Sequence, residues 1–387
     1  MPAWVSSPIA VVAAHAGPAG EDLQVERESD LLVALAGVPD PRKARGRRHR
    51  LVTVLAVSVC AVLAGARSYV AIAEWAHDLP VSARLRLGLG RRAPSESTLR
   101  RILQAVDLDA LDAALSGWLT DRLPAPPPGR MRAVAVDGKT ARGARTQDRT
   151  QVHLLAAFDH AAGIVLGQTQ VDAKTNEITA FAPLLDRIDL TDVLLTADAL
   201  HTQRGHADYL HDRGAHYILI AKANQPTLHA QLIGLPWRQI PVADEQRDRG
   251  HGRIEIRRVK ITTVDAGIGF PHARLAIQIV RRRRPINSTT WSSETVYAIT
   301  SLPWRQARPD LVADAIRGHW RIEALHWIRD VSFGEDLSQI RTGNGPAAMA
   351  TLRNFAVSRH RLAGDTNIAH ACRRTARHPN RALALLT

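Results

Sequence analysis

Apolar and polar positions divide the chain into three regimes. From about Leu31 to Leu123 the apolar residues recur at helical spacing: LVTVLAVSVCAVLAGA over 51–66, then SYVAIAEWAHD, then PSESTLRRILQAVDLDALDAALSGWL. In the last of these, Ser95 or Ser97 can cap a helix whose Leu99, Ile102, Leu103 and Val106 fall on one face. The three prolines of Ala125–Gly129 (APPPG) cannot continue a helix and predict a stiff connector over 125–130. Beyond it the pattern changes to short apolar runs at 131–137, 151–159, 163–172, 192–199 and 217–222. The amphipathic stretch NEITAFAPLLDRID precedes the fourth run and a more polar helix precedes the fifth, which reads β-β-β-α-β-α-β. From about 226 to 308 the text is Arg-rich with β-type segments (RIEIRRVKITTV, ARLAIQIV, ETVYAIT). Helix returns with DLVADAIRGHWRIEALHWIRDV.

Three strands joined by short connections, followed by strands that alternate with helices, make a mixed sheet: antiparallel at one edge, parallel at the other. That is the order of an RNase H-like fold. The expected architecture is therefore α/β. A loose tail over 1–30 leads into an all-α domain at 31–124, and an RNase H-like core spans 131–365. A β-rich subdomain is inserted in that core at about 226–308, and a basic tail closes the chain at 366–387. The sixteen uncharged residues 51–66 fall short of the roughly 20 that a membrane span requires, and Thr53, Ser58 and Gly65 interrupt them. They read as a buried core helix, and no membrane partner is expected. No Lys or Arg precedes Arg27, so the charged start of a secretory signal is missing, and Cys60 and Cys372 form no paired motif. A reducing, cytoplasmic setting fits this usage.

Composition adds a partner. Lys and Arg number 51 against 37 Asp and Glu, a formal charge of +14, while 45% hydrophobic content is ordinary for a folded chain. An excess of this size points to a polyanion, nucleic acid above all. Basic clusters at Arg42–Arg50, which holds Arg42, Lys43, Arg45, Arg47 and Arg48, and at Arg281–Arg284 suit phosphate neutralisation. A solvated charge run beside a structural helix is the plainer reading of the first.

Three carboxylates stand out. Asp137 ends the apolar run MRAVAVD and Asp198 ends VLLTA; as parallel neighbours these strands would bring both acids to one sheet edge. Adjacent carboxylates repel unless a cation lies between them, and Mg²⁺ suits a site of one or two carboxylates completed by substrate phosphate. The third is Glu323, which shares a helical face with Ile316, Trp320 and Trp327. Taken singly, an Asp at a strand end is more often a turn or cap. Asp137-Gly-Lys-Thr140 lacks the upstream glycine of a phosphate-binding loop, since position 133 is Ala133. His319, Glu323 and His326 have spacings that could ligate zinc but lack the His-Glu-x-x-His order.

In these segments the chain resembles the insertion-sequence DDE transposases of the type that includes the H-repeat-associated proteins. The similarity is carried, in order, by PDPRKARGRRHRLVTVLAVSVCAVLAGARSY, PSESTLRRIL, VDGKTARGA, KTNEITAFAPLL, TADALHTQ, YILIAKANQPTL, HWRIEALHWIRDVSFGED and GNGPAAMATLRNFA. The resemblance implies that Asp137, Asp198 and Glu323 hold two divalent ions, Mg²⁺ or Mn²⁺. It also implies a protein that binds double-stranded DNA, cuts at the ends of its element, joins the 3′-OH to target DNA and works as a homodimer at the nucleoid. The wider transposase signature has Tyr, Arg and Lys around the glutamate, where this chain has Ile316, His319 and Asp330. A phosphate clamp must then come from Arg317, His319 or Arg321. Lys139 and Lys222 could neutralise phosphate beyond the strand ends, and Asn224 and Gln225 could hydrogen-bond bases or phosphate. Trp320 and Trp327 are expected mainly in the core, with stacking on an unpaired base as the other use. Two rival functions remain: a nuclease without strand transfer, and a non-catalytic DNA-binding protein derived from a transposase.

Overall fold

The computed structural model describes residues 30–45, 47–145, 151–171, 176–250, 252–264 and 268–386; the expected N-terminal tail falls almost wholly outside them. Six helices come first: α1 (Asp30–Ala36), α2 (Leu51–Leu63), α3 (Tyr69–His77), α4 (Val81–Arg86), α5 (Glu96–Leu103) and α6 (Leu108–Thr120). Oxygen-bearing side chains stop three of them from fraying: Ser68, Ser95 and Asp107 each accept an N–H of the first turn, from Ala71, Thr98 and Ala110. Apart from Val52, every residue of α2 is buried, as the uncharged run requires of a core helix. Among the described residues no helix is long and apolar enough to cross a membrane.

The remaining strands and helices build one sheet. Strands β1 (Arg132–Arg145), β2 (Gln151–Asp159) and β3 (Val165–Val171) lead to α7 (Glu177–Leu185), β4 (Val193–Ala197), α8 (Arg204–Asp212), β5 (His216–Ala221) and α9 (Pro226–Ile233). Then come β6 (Asp244–Gly250), β7 (Arg253–Thr263), β8 (Leu275–Pro285) and β9 (Ser292–Thr300). The strand order is β3-β2-β1-β4-β5-β9-β8-β7-β6. Pairing is parallel for β1–β4 and β4–β5 and antiparallel elsewhere. Its first five strands have the RNase H-like order expected from the sequence. The β-rich insertion is not a separate sheet: β9 pairs with β5, Ile218 opposite Thr300, so four more strands extend the core sheet. Strand β6, DEQRDRG, has no apolar face to announce it; it forms because β7 supplies a hydrogen-bonding edge.

Helices cover both faces. Leu194 and Ile218 point to α10 (Pro309–His319), where Val312, Ala315 and Ile316 meet them, whereas Leu195 and Leu219 face the larger core on the other side. That core runs without a break into the N-terminal helices. Its centre is α12 (Gly345–Leu362), which is buried over most of its length and packs on α2 and α6, with Trp118 and Phe355 rings 5.6 Å apart. Asp112 of α6 is buried and accepts the Gln168 N–H of edge strand β3 at 2.9 Å, which fastens the helical region to the sheet.

Two expectations are corrected. The helix carrying Glu323 is two helices, α10 and α11 (Arg321–Phe333), interrupted at Trp320. The presumed basic tail is folded: α13 (Ile368–Ala376) and α14 (Pro379–Ala384) bury Ile368, Ala371, Cys372 and Leu383. Four basic residues of that segment remain on the surface, which is why its sequence reads as a solvated tail.

Candidate active site

Strands β1 and β4 run parallel with Val136 opposite Ala197, so the next residue of each, Asp137 and Asp198, leaves the paired region side by side. Asp137 does not end its strand, as the hydrophobic pattern suggests. Strand β1 goes on to Arg145 because its antiparallel ladder with β2 continues past Gly138, opposite Leu155; only the parallel ladder stops. Asp198 caps the short turn Ala199–His201 and accepts the Leu200 N–H at 3.0 Å. Glu323 lies in the exposed first turn of α11, where the helix dipole favours an acid. All three acids line one cleft of about 260 Å³, together with Lys222, Arg281, Glu294, His319, Trp320 and a floor that includes Ile218, Ile220 and Ile316.

The charges in this cleft are not balanced by the protein. Burial, followed by the repulsion of Asp198, Glu177 and Glu323, pushes the Asp137 carboxyl up to about 7. Its histidine neighbour gives little relief. His326 Nδ1 is 3.7 Å from Asp137 Oδ2, beyond a hydrogen bond, and burial with Arg329 and Lys139 nearby pushes His326 down to about 3, so it is neutral. His319 hydrogen-bonds Thr196 Oγ1 at 3.2 Å, and burial pushes it down to about 4. Thr196 also meets His160 Nε2 at 3.1 Å. Gly318 is needed there, because a Cβ at that position would run into the His160 ring.

A divalent cation fits this donor set. Hard carboxylate oxygens, one of them with its proton affinity raised by burial and then by its acidic neighbours, are what Mg²⁺ or Mn²⁺ prefers. Among the described residues no three His, Cys, Asp or Glu side chains stand close enough to form a preformed metal site, zinc included.

Several other expected residues are occupied elsewhere. Lys139 is buried and donates to Asp330 Oδ2 at 2.8 Å, with Asp336 3.5 Å away, instead of facing the open edge. The positive charge beside Asp330 is thus supplied from β1. Arg317 pairs with Asp314 at 3.2 Å and Arg321 donates to the His160 carbonyl at 2.7 Å. Asn224 Nδ2 donates to the Ala199 carbonyl at 2.6 Å, tying the end of β5 to the turn after Asp198, and Gln225 precedes α9. Lys222 is exposed. Trp327 is exposed at 63%, against the expectation of core packing, and Trp320 is half-buried with the Arg257 and Arg281 guanidinium groups 5.5 and 5.4 Å from its ring. In the N-terminal cluster Lys43, Arg45 and Arg48 are exposed, Arg42 is held by Asp40 at 2.9 Å, and Arg47 folds onto the Arg42 carbonyl. Sequence reasoning passed over Glu177 and its histidine partners, His153 and His201, because each partner is 24 residues away along the chain.

Two aspartates at the end of the parallel strand pair and a glutamate from a later helix thus share one cleft of an RNase H-like sheet. The chain belongs to the DDE transposases: residues 128–358 match the family described as the transposase DDE domain, and residues 32–119 match the region associated with it. It is of the insertion-sequence, H-repeat-associated type. It is 29% identical over 352 residues to "Putative transposase YncI" of Escherichia coli O157:H7, covering 85% of this chain and 86% of that one. To "H repeat-associated putative transposase YhhI" of Escherichia coli K12 it is 26% identical over 343 residues, 85% and 89% of the two chains. Among solved structures, a piggyBac transposase synaptic complex with hairpin DNA is similar at a TM-score of 0.41 and 10% identity, over 92% of this chain and 77% of that one.

Proposed function

We propose that this protein cuts DNA at the ends of its own insertion sequence and joins the freed 3′-OH to target DNA, at one site built from Asp137, Asp198 and Glu323. The observation that carries the reading is the in-register emergence of Asp137 and Asp198 beside Glu323 in one cleft with a free lysine at its rim. The three carboxylates would hold two Mg²⁺ or Mn²⁺ ions. When bound, such a pair lowers the barrier by activating the attacking oxygen and stabilising the leaving 3′ oxygen. Lys222 offsets phosphate charge at the rim, and the Arg257–Trp320–Arg281 stack gives the wall an apolar face beside cations. In-line displacement needs positioning and charge neutralisation and no covalent nucleophile.

The helical region 31–124, through Lys43, Arg45 and Arg48 with Arg42 and Arg47 behind them, would grip end phosphates. The Arg-rich strands β7 and β8 would do the same on the other side of the cleft. Pairing of two ends calls for a homodimer, and the whole reaction belongs at the bacterial nucleoid. Arg317, His319, Arg321, Asn224 and Gln225 then support the DNA-contacting surface from behind, and Trp327 is free to stack on a base.

The test incubates the protein and its Asp198→Ala variant with DNA carrying the gene's own flanks and a plasmid target, in Mg²⁺ or EDTA, and maps broken and joined 3′ ends. Cleavage with joining, lost in EDTA and in the variant, is expected. Cleavage without joining would leave a nuclease, and flank binding without either step would leave a DNA-binding protein.

A further inference from the structure

Behind the acidic cleft, outside its lining, Glu177 gathers the segments that carry both aspartates. It opens α7, whose Asn176 caps the helix by accepting the Thr179 N–H. Its Oε1 accepts from His153 Nε2 at 2.6 Å and its Oε2 from His201 Nε2 at 3.3 Å. His153 is on β2, directly opposite Thr140 of β1, and its Nδ1 is hydrogen-bonded by Thr140 Oγ1 at 2.8 Å. His201 closes the turn that begins at Asp198. The same carboxylate lies flat against Gly138: a Cβ there would stand 2.5 Å from Glu177 Oε1. One side chain thus touches the residue after Asp137, the strand paired with it and the turn capped by Asp198.

With both oxygens committed to imidazole N–H groups and no place in the cleft wall, Glu177 is not placed to bind an ion itself. We propose that Glu177 is a positioning residue that fixes the separation of the Asp137 and Asp198 carboxylates, so that the divalent ions meet a prearranged pair. The inference rests on the reading of those aspartates as the metal-holding acids. Helix α7 can serve as the anchor because it is held by more than this carboxylate: it packs on β2 and β3, and Phe181, buried in the core, stacks on His206 with ring centroids 3.9 Å apart. Groups that orient ligands without binding the ion typically change metal affinity by about 10–100-fold when removed.

The test follows Mn²⁺ binding to the full-length protein by electron paramagnetic resonance, without DNA, for wild type, Glu177→Ala, Gly138→Ala and Asp198→Ala. Flank cleavage is then measured as a function of Mg²⁺. The two variants perturb the contact from opposite sides, one by deletion and one by a methyl group pressed into the carboxylate, so a folding defect in one does not decide the outcome. Expected is a loss of Mn²⁺ affinity of about tenfold in both, with half-saturating Mg²⁺ raised by a similar factor and cleavage at saturating Mg²⁺ within about twofold of wild type. Wild-type Mn²⁺ binding and Mg²⁺ dependence in both variants, with binding lost in Asp198→Ala, would overturn the positioning role. Wild-type Mn²⁺ binding in Asp198→Ala would overturn the reading of the site itself.

Discussion

Replacing Glu335 by Gln should destabilise the protein by about 3 kcal/mol at neutral pH and remove a defined part of its acid sensitivity. Glu335 follows α11 and is 2% exposed. It accepts from Arg329 Nε at 2.8 Å and Nη2 at 2.5 Å, and from Arg353 Nη1 of α12 at 3.3 Å. Arg329 also donates to Asn354, which donates to Gln168 of β3. Burial alone would raise the Glu335 carboxyl, but the two arginines outweigh it and hold it down at about 2, against an ordinary 4.5. Holding the carboxyl at about 2 instead of 4.5 corresponds to about 3 kcal/mol. The contribution is full above pH 4.5 and is lost as pH falls from there toward 2. The glutamine keeps the shape but leaves Arg329 and Arg353 buried without a counter-ion. Urea unfolding followed by circular dichroism, from pH 7 to pH 3, measures both effects. A lower midpoint for Glu335→Gln at pH 7, with the gap closing in acid, is expected. Equal midpoints at pH 7, or a gap that does not change with pH, would refute the ionic reading.

Three further outcomes follow from single contacts. Burial pushes the Asp112 carboxyl up to about 7, so its stability contribution is greatest below pH 3.8 and is lost as pH rises toward 7; Asp112→Asn, which can still accept the Gln168 N–H, should stabilise the protein at pH 8 and not at pH 4 in the same urea assay. Gly318→Ala forces a methyl group into the His160 ring and should cost about 1–3 kcal/mol by urea unfolding; wild-type stability would mean that the α10 end is not held against His160. Lys222→Ala should lower the slope of log affinity for the flanking DNA against log salt by about one, in fluorescence anisotropy titrations; an unchanged slope would remove Lys222 from the phosphate contacts.

The acidic pair was legible because its geometry is local: two apolar runs, each followed directly by an aspartate, in strands whose order makes them parallel neighbours. What the sequence hid is tertiary. The interruption at Trp320 is marked in the sequence only by Gly318 two residues earlier, which a helix tolerates, and it coincides with His319 reaching across to Thr196. Strand β6 carries no apolar alternation, since both of its faces are largely exposed and only pairing with β7 makes it a strand. The Arg-rich text of β7 and β8 reads as pure surface, yet Glu255 is 3% exposed within it and draws in Arg253, Arg257 and Arg281. Helical spacing also put Glu323 on one face with Ile316, Trp320 and Trp327; with the helix broken one turn earlier, the acid sits exposed in the first turn of α11.

Because β9 is hydrogen-bonded to β5, the four added strands hold their outer edge at a set distance and angle from the acids. Six strand intervals separate β1 from β6; at about 4.8 Å each, the outer edge lies about 29 Å from Asp137 measured along the sheet, roughly the rise of eight or nine base pairs. Each interval also turns by about 20–25°, so the outer strand is swung by well over 90° relative to β1. Removing one hairpin would therefore shorten the reach by about 10 Å and unwind it by about 45° in the same stroke, coupling distance and angle in a way that no flexible linker would.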